Sequence, residues 1–352
     1  MKRYLILLLC LIVFCAGVSF SAEAASDSDN TDKTIEKSHV YGQYFKYTTR
    51  VPSRNGDIDV KAFPKYDTGV NAKYSYQSDN LRIAIDVHTD EKIPEVLYIA
   101  DVWIKNIYAF RTCFSNNKYI YDMDTNSLAG KEDGPTMAKR NEAIFAINGC
   151  YNVGLTVHSG IVYGMEDQES SGCLILYRDG SMRTFNTDEE TIDIEEELKK
   201  GMYHAWQFGP VLVHNGERTE RGAGKITTHP RTAVGYYEPG HYVFVVCDGR
   251  SPLSKGMTFD EIREVMYSLG VKEAINFDGG YSSVMIFMGE MINRNTYWGI
   301  NSETRQKYKG RPIPDLVFFS DYDTKGNLIT LEQIKARNEA LEVVSKFSIK
   351  NK

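Results

Sequence analysis

The stretch HYVFVVCDGRSPLSKGMTFDEIREVMYSLGVKEAINFDGG, residues 241–280, decides the fold class. Its first seven residues, His241 to Cys247, are β-branched and aromatic, the pattern of a short buried strand. Thr258 and Glu261 form a capping box. Phe259, Ile262, Val265, Met266 and Leu269 then share one helix face, and Gly270 is placed to end the helix. Glu273 to Phe277 reads as a second strand. Strand, helix and strand within this length make a β-α-β unit, whose crossover sets the two strands parallel. Asp248 and Asp278 then lie just past the carboxyl ends of those strands, on the edge where open α/β sheets place their sites. If the strands are adjacent or next-but-one, both carboxylates face one cavity. The expected fold is α+β or mixed α/β: a mixed β-sheet core with the β-α-β unit at 241–278 and flanking helices.

Working outward, Leu81 to Val87 and Glu95 to Trp103 alternate apolar and polar residues as strands do. Ala143 to Ile147 is a buried-strand pattern that stops at Asn148-Gly149-Cys150-Tyr151-Asn152. Tyr203 to Phe208 runs into Gly209-Pro210, and His229-Pro230-Arg231-Thr232 precedes the strand-like Ala233 to Tyr237. Thr330 and Gln333 make a second capping box, with Leu331, Ile334, Leu341 and Val344 at roughly helical spacing, so a helix is expected over 330–352. No internal repeat is visible.

The N-terminus reads as a signal peptide over residues 1–24. Lys2 and Arg3 form a positive region, Tyr4 to Phe20 is almost unbroken apolar, and Ala22-Glu23-Ala24 offers small residues for cleavage. Residues 25–38 are polar and acidic, a disordered linker, and 39–80 form an extension before a main domain at 81–325. This organisation predicts a secreted or cell-envelope protein with no stable membrane insertion after cleavage, since no other segment is long and apolar enough to span a bilayer. Removing residues 1–24 takes the formal charge from -6 to -7. That balance argues against a nucleic-acid partner, whose phosphates reward a basic surface. The leader also carries away Cys10 and Cys15. Cys113, Cys150, Cys173 and Cys247 remain, with three possible pairings or four buried thiols, at spacings unlike those of a zinc finger.

Singly, the polar punctuation is weak evidence. Asp278-Gly279 is a common turn signal, Asp248-Gly249-Arg250 fits a turn with a solvated arginine, and a lone Arg231 is usually a surface charge. Together, the ordered segments AIFAINGCYN (143–152), QFGPVLVHNG (207–216), HPRTAVG (229–235), VVCDGR (245–250), AINFDGGYSSVM (274–285) and GRPIPD (310–315) resemble the phosphodiester glycosidase family over about residues 81–318. The resemblance implies a mixed α/β fold and hydrolytic release of a sugar from a phosphodiester, N-acetylglucosamine being the family's familiar case. It implies a pocket lined by Asn148, His229, Arg231, Asp248, Asn276, Asp278 and Ser282. Cys150 departs from the family pattern, where glycine or aspartate is more usual.

Chemistry then suggests roles. Breaking an anomeric C–O bond passes through an oxocarbenium-like state that a carboxylate stabilises or traps. Asp278 and Asp248 are the catalytic candidates, with Asp278 preferred because Gly279 and Gly280 let a sugar approach closely. Arg231, with His229 and with Arg250 as second choice, matches a phosphate's oxygens. Asn148, Asn276 and Ser282 would orient sugar hydroxyls. No cofactor is called for. Two alternatives stand beside this reading: a metal-dependent phosphodiesterase using Asp248, Asp278 and His229 as ligands, and a non-catalytic module binding an anionic glycan. The substrate class is a glycan or sugar phosphodiester of the envelope or extracellular space; the sequence is silent on oligomeric state.

Overall fold

A computed structural model describes residues 74–323 apart from short gaps at 91–94, 120, 123–126, 129, 152–153, 166–171, 296–297 and 301–306. It also describes 33–35, 47–49, 58 and most of 325–339. The expected signal peptide and most of the linker and extension lie outside the described residues, as do Leu341 and Val344.

The centre is an eight-stranded sheet. We label its site-bearing strands β1 (Glu95–Ile104), β3 (Arg231–Glu238), β4 (His241–Cys247) and β5 (Glu273–Phe277). A five-stranded sheet contributes β2 (Phe145–Asn148) and β6 (Asp315–Phe319). The eight-stranded order is Glu217–Arg218, Val211–His214, β5, β3, β4, β1, Leu81–Asp90 and Tyr74–Gln77. A further five-stranded sheet spans strands between Leu155 and Phe208. β1 alternates half-buried and buried residues along its whole length, as a strand with one face on the core must.

Every strand pairing among the described residues is antiparallel. This corrects the expected mixed sheet. β4 and β5 are joined by helix α1 (Phe259–Ser268), but β3 lies between them, antiparallel to both. The reason is local: β3 and β4 form a tight hairpin closed at Glu238↔His241, and β5 pairs with the other side of β3. β4 and β5 therefore run the same way as next-but-one neighbours. Helices are few and the fold is mainly β.

Register places the functional candidates. Arg231 pairs with Cys247 and Thr232 with Phe277, so β3 begins where β4 and β5 end. Residues 229–232, 248 and 278 consequently collect at one sheet edge. The helix α1 starts with the reciprocal Thr258–Glu261 capping box and packs Ile262 and Met266 against the sheet. Thr330 and Gln333 make the second capping box, and residues 331–337 are helical, with Leu331 and Ile334 buried. Ile58 is buried in the main core, and Tyr74–Gln77 forms the sheet's edge, so parts of 39–80 are built into the domain. Cys113, Cys150, Cys173 and Cys247 are all free and buried; burial pushes each thiol up, which keeps them protonated and inert. No helix among the described residues is long and apolar enough to cross a membrane.

Candidate active site

Asp278 follows β5 and opens the turn Asp278-Gly279-Gly280. Its side chain is buried with 10% exposure, and burial lifts the carboxyl from 3.8 to about 6 against the opposing pull of Ser282, Arg311 and the Gly279 N–H. The Arg311 guanidinium reaches Asp278 Oδ2 at 3.4 Å, the Tyr151 hydroxyl at 2.9 Å and the Ser282 hydroxyl. One guanidinium nitrogen, Nη2, thus gathers the carboxylate, a serine and a tyrosine from distant parts of the chain. A Cβ on Gly279 would lie 2.8 Å from the Pro230 carbonyl, so only glycine lets this turn seat against the start of β3.

Arg250 stands beside this turn. It is exposed, takes a left-handed backbone (φ 58°), lies over the Tyr281 ring at 4.4 Å and donates to His229 Nδ1 at 3.2 Å. An arginine cannot accept, so Nδ1 is the bare nitrogen of a neutral imidazole and Nε2 carries the proton. Partial burial and the charges of Arg231 and Arg250 lower the His229 pKa, which favours that neutral form. Asp278, Ser282, Arg311 and Tyr151 form one cluster, and Arg250, His229 and Tyr281 form a cationic patch next to it.

The remaining candidates have a different character. Asn148 donates to the Asp278 carbonyl at 2.8 Å and to the Gly149 carbonyl at 3.1 Å. Its oxygen accepts from the Thr232 hydroxyl at 2.9 Å and from Val284 N–H at 3.2 Å. Fully buried and fully bonded, it pins β2, β3 and both sides of the Asp278 turn together. Asn276 donates to the Gly209 and Phe277 carbonyls at 2.9 and 2.8 Å, holding the Gly209-Pro210 turn against β5. Asp248 is buried and accepts from Arg294 N–H at 3.0 and 3.1 Å and from the Asn293 amide at 3.1 Å. Arg231 donates to the Met257 and Thr227 carbonyls at 2.8 and 3.3 Å and packs on Phe259 at 3.9 Å; burial draws its guanidinium down to about 10, still cationic at neutral pH. The structure therefore gathers all eight candidates about one sheet edge, but gives four of them to holding that edge in shape.

Sequence reasoning missed Arg311 and Tyr151 as site residues. Both lie in quoted motifs, and the usable signal was a Gly310-Arg311-Pro312 step just before a buried strand. Asp315, next on that strand, accepts from Cys150 N–H at 2.9 Å, and a Cβ on Gly149 would overlap its carboxylate. That contact fixes the Asn148–Tyr151 turn. Cys150 itself is buried away from solvent.

The match to the phosphodiester glycosidase sequence profile covers residues 131–320, more than half the chain and all of these residues. The chain belongs to the phosphodiester glycosidase family. That family consists of hydrolases. A prophage-derived uncharacterized protein of Bacillus subtilis, YomE, is 30% identical over 198 residues, covering 50% of this chain and 30% of that protein. Human N-acetylglucosamine-1-phosphodiester alpha-N-acetylglucosaminidase is 26% identical over 131 residues, 34% of this chain and 25% of the human protein. The chain thus spans under a third of the length of either relative. The catalytic domain of the zebrafish enzyme of the same name, auto-inhibited by its pro-peptide, superposes with a TM-score of 0.51 at 16% identity, over 68% of this chain and 82% of that one. That likeness is one of fold.

Proposed function

We propose that this protein is an exported hydrolase that releases a sugar, N-acetylglucosamine being the first to try, from a sugar-1-phosphodiester in a cell-envelope or extracellular glycan. The observation that carries the proposal is the Asp278 carboxyl: buried, raised toward neutrality, followed by two glycines and held by a guanidinium shared with Ser282 and Tyr151. Ionised above about pH 6, Asp278 stands to stabilise or trap positive charge at the anomeric carbon. The departing phosphodiester is a good leaving group and needs its charge held more than it needs a proton. Arg250 and the Nε2–H of His229 are the accessible donors for that task; Arg231, first choice on sequence, donates instead to the Met257 and Thr227 carbonyls. Asp248 acts through the Asn293–Arg294 segment as a positioning residue.

A metal-dependent attack at phosphorus would use Asp248, Asp278 and His229 together. Among the described residues no three histidine, cysteine or acidic side chains group as a ligand set, so the geometry supports the glycosidase better. The signal-peptide reading of residues 1–24 supports export, and recovery of a shortened chain from the culture medium tests it. The test of the chemistry is hydrolysis of sugar-1-phosphodiesters in water labelled with heavy oxygen, with and without chelator. Label in the released sugar is the expected result. Label in the phosphate, with activity lost to chelator, would overturn the glycosidase.

A further inference from the structure

A groove of about 710 Å³ lies beside the candidate site, between α1 and β1. Its floor is apolar: Leu97, Ile99, Met257, Val265 and Leu269. That volume is within the roughly 300–1,000 Å³ of pockets that hold small organic ligands. The groove and the site share a structural unit. Met257, in the floor, forms a reciprocal backbone bridge with His229 of the cationic patch, at 3.1 and 2.9 Å. Residues directly opposite in such a bridge have Cα atoms about 5 Å apart. The loop from Arg250 to Met257 therefore runs from the patch to the groove, anchored midway where Ser254 accepts from Val96 N–H of β1.

The tips of the two loops that flank the patch are apolar. Leu253 heads a tight turn closed by Ser251 and Ser254 and is 57% exposed; Ile226, three residues before His229, is 88% exposed. The acids on the groove's rim are neutralised in place: Lys255 pairs with Glu95 and Glu261, and Arg218 with Glu264. A cationic patch joined by this loop, with Leu253 bare upon it, to a groove of apolar floor and ion-paired rim matches a ligand with an anionic head and an aliphatic tail. A hydrophilic glycan would gain nothing from Leu253, Ile226 or the groove floor.

We propose that the leaving group of the phosphodiester carries a long aliphatic chain, which crosses Leu253 and lies in the groove while its phosphate sits on Arg250 and His229. This inference rests on the phosphodiester reading of the site and adds the chemical class of the aglycone. Burying even two or three methylenes is worth about tenfold or more in affinity.

The experiment has two arms, both below the micelle concentration. Calorimetry on the full chain compares methyl, hexyl and decyl phosphate, and turnover compares methyl and decyl esters of one sugar-1-phosphate. Affinity should rise along the series, with decyl phosphate at least about tenfold tighter than methyl. Leu253→Asp and Val265→Gln should erase that gain and leave hydrolysis of the methyl ester unchanged. Methyl and decyl phosphate binding within twofold of each other on the unaltered protein would overturn the proposal, as would variants that weaken both alike. If neither ester is hydrolysed yet the chain-length gain and its loss in the variants persist, the glycosidase reading fails and the groove assignment stands.

Discussion

Asn148 and Asp278 are neighbours joined by one hydrogen bond, yet they stand in opposite relation to stability. Asn148 has each of its hydrogen bonds matched to a buried partner, the Gly149 and Asp278 carbonyls, the Thr232 hydroxyl and the Val284 N–H, so its burial lowers the free energy of the fold. Asp278 is buried as a carboxylate with one guanidinium at 3.4 Å, and its raised pKa measures how poorly the fold compensates its charge. One residue makes the edge rigid; the other sets beside it a buried carboxyl raised toward neutrality, the property the proposed chemistry uses.

The largest expected effect tests the second half of that contrast. Asp278→Asn should lower kcat on the order of 10³-fold. It should also raise stability at neutral pH. The folded carboxyl titrates near 6 and the unfolded one near 3.8, so the folded state holds the extra proton in between. The stability linked to that proton is full below about pH 4 and is lost as pH rises to about 6, amounting to roughly 3 kcal/mol above it. Denaturant melts at pH 4 and pH 7.5 should show the variant gaining on the wild type only at the higher pH. Equal curves at both would mean the carboxylate is better compensated than its surroundings indicate.

Asn148→Ala should do the reverse. It strands the Thr232 hydroxyl, the Val284 N–H and the Asp278 carbonyl, at a cost of about 2–4 kcal/mol. The loss should be alike at both pH values, and a variant as stable as wild type would break the contrast outright.

Arg311 sits between the two behaviours. Lysine keeps its charge, but its shorter stem leaves the ammonium short of the Nη2 position that reaches Tyr151, Ser282 and Asp278, so Arg311→Lys should reduce kcat/KM by about 10–100-fold. In Arg311→Gln the acid limb of the pH–rate profile should move above its wild-type position near 6, because the cation that draws Asp278 down is gone. A limb that stays put would separate Arg311 from the carboxylate. Smallest of all, Arg250→Gln should lower kcat and kcat/KM together by roughly tenfold, as expected for a group that holds the charge building on the departing phosphate.

Much of this was legible in the sequence because it is local. The strands read at 81–87, 95–103 and 241–247, the helix read over 259–269 and both capping boxes follow from periodicity and end signals over a few residues, and the folded elements agree to within three residues. So does the placing of Asp248 and Asp278 past strand ends. The antiparallel order was hidden because the 231–238 hairpin arm inserts between 241–247 and 273–277, and pairing partners are set by tertiary contact. The site residues divide on the same line. Residue type and spacing pointed to Asn148, Asn276 and Asp248, but whether an amide or carboxylate is saturated depends on atoms more than a hundred residues away for Asn148 and some 45 away for Asp248. Arg311 was overlooked for the complementary reason: its partners, Tyr151, Asp278 and Ser282, are close only after folding.

The place of β6 gives the site a timetable. It is the middle strand between β2 and Phe110–Phe114, and Arg311 lies just ahead of it. A growing chain that has passed Ser282 already holds the carboxylate, the serine and the tyrosine, but no guanidinium joins them. The strand bearing Asn148 still lacks a neighbour. Arg311 and the strand that completes the sheet are thus made together, so the cluster around Asp278 closes only when the sheet does.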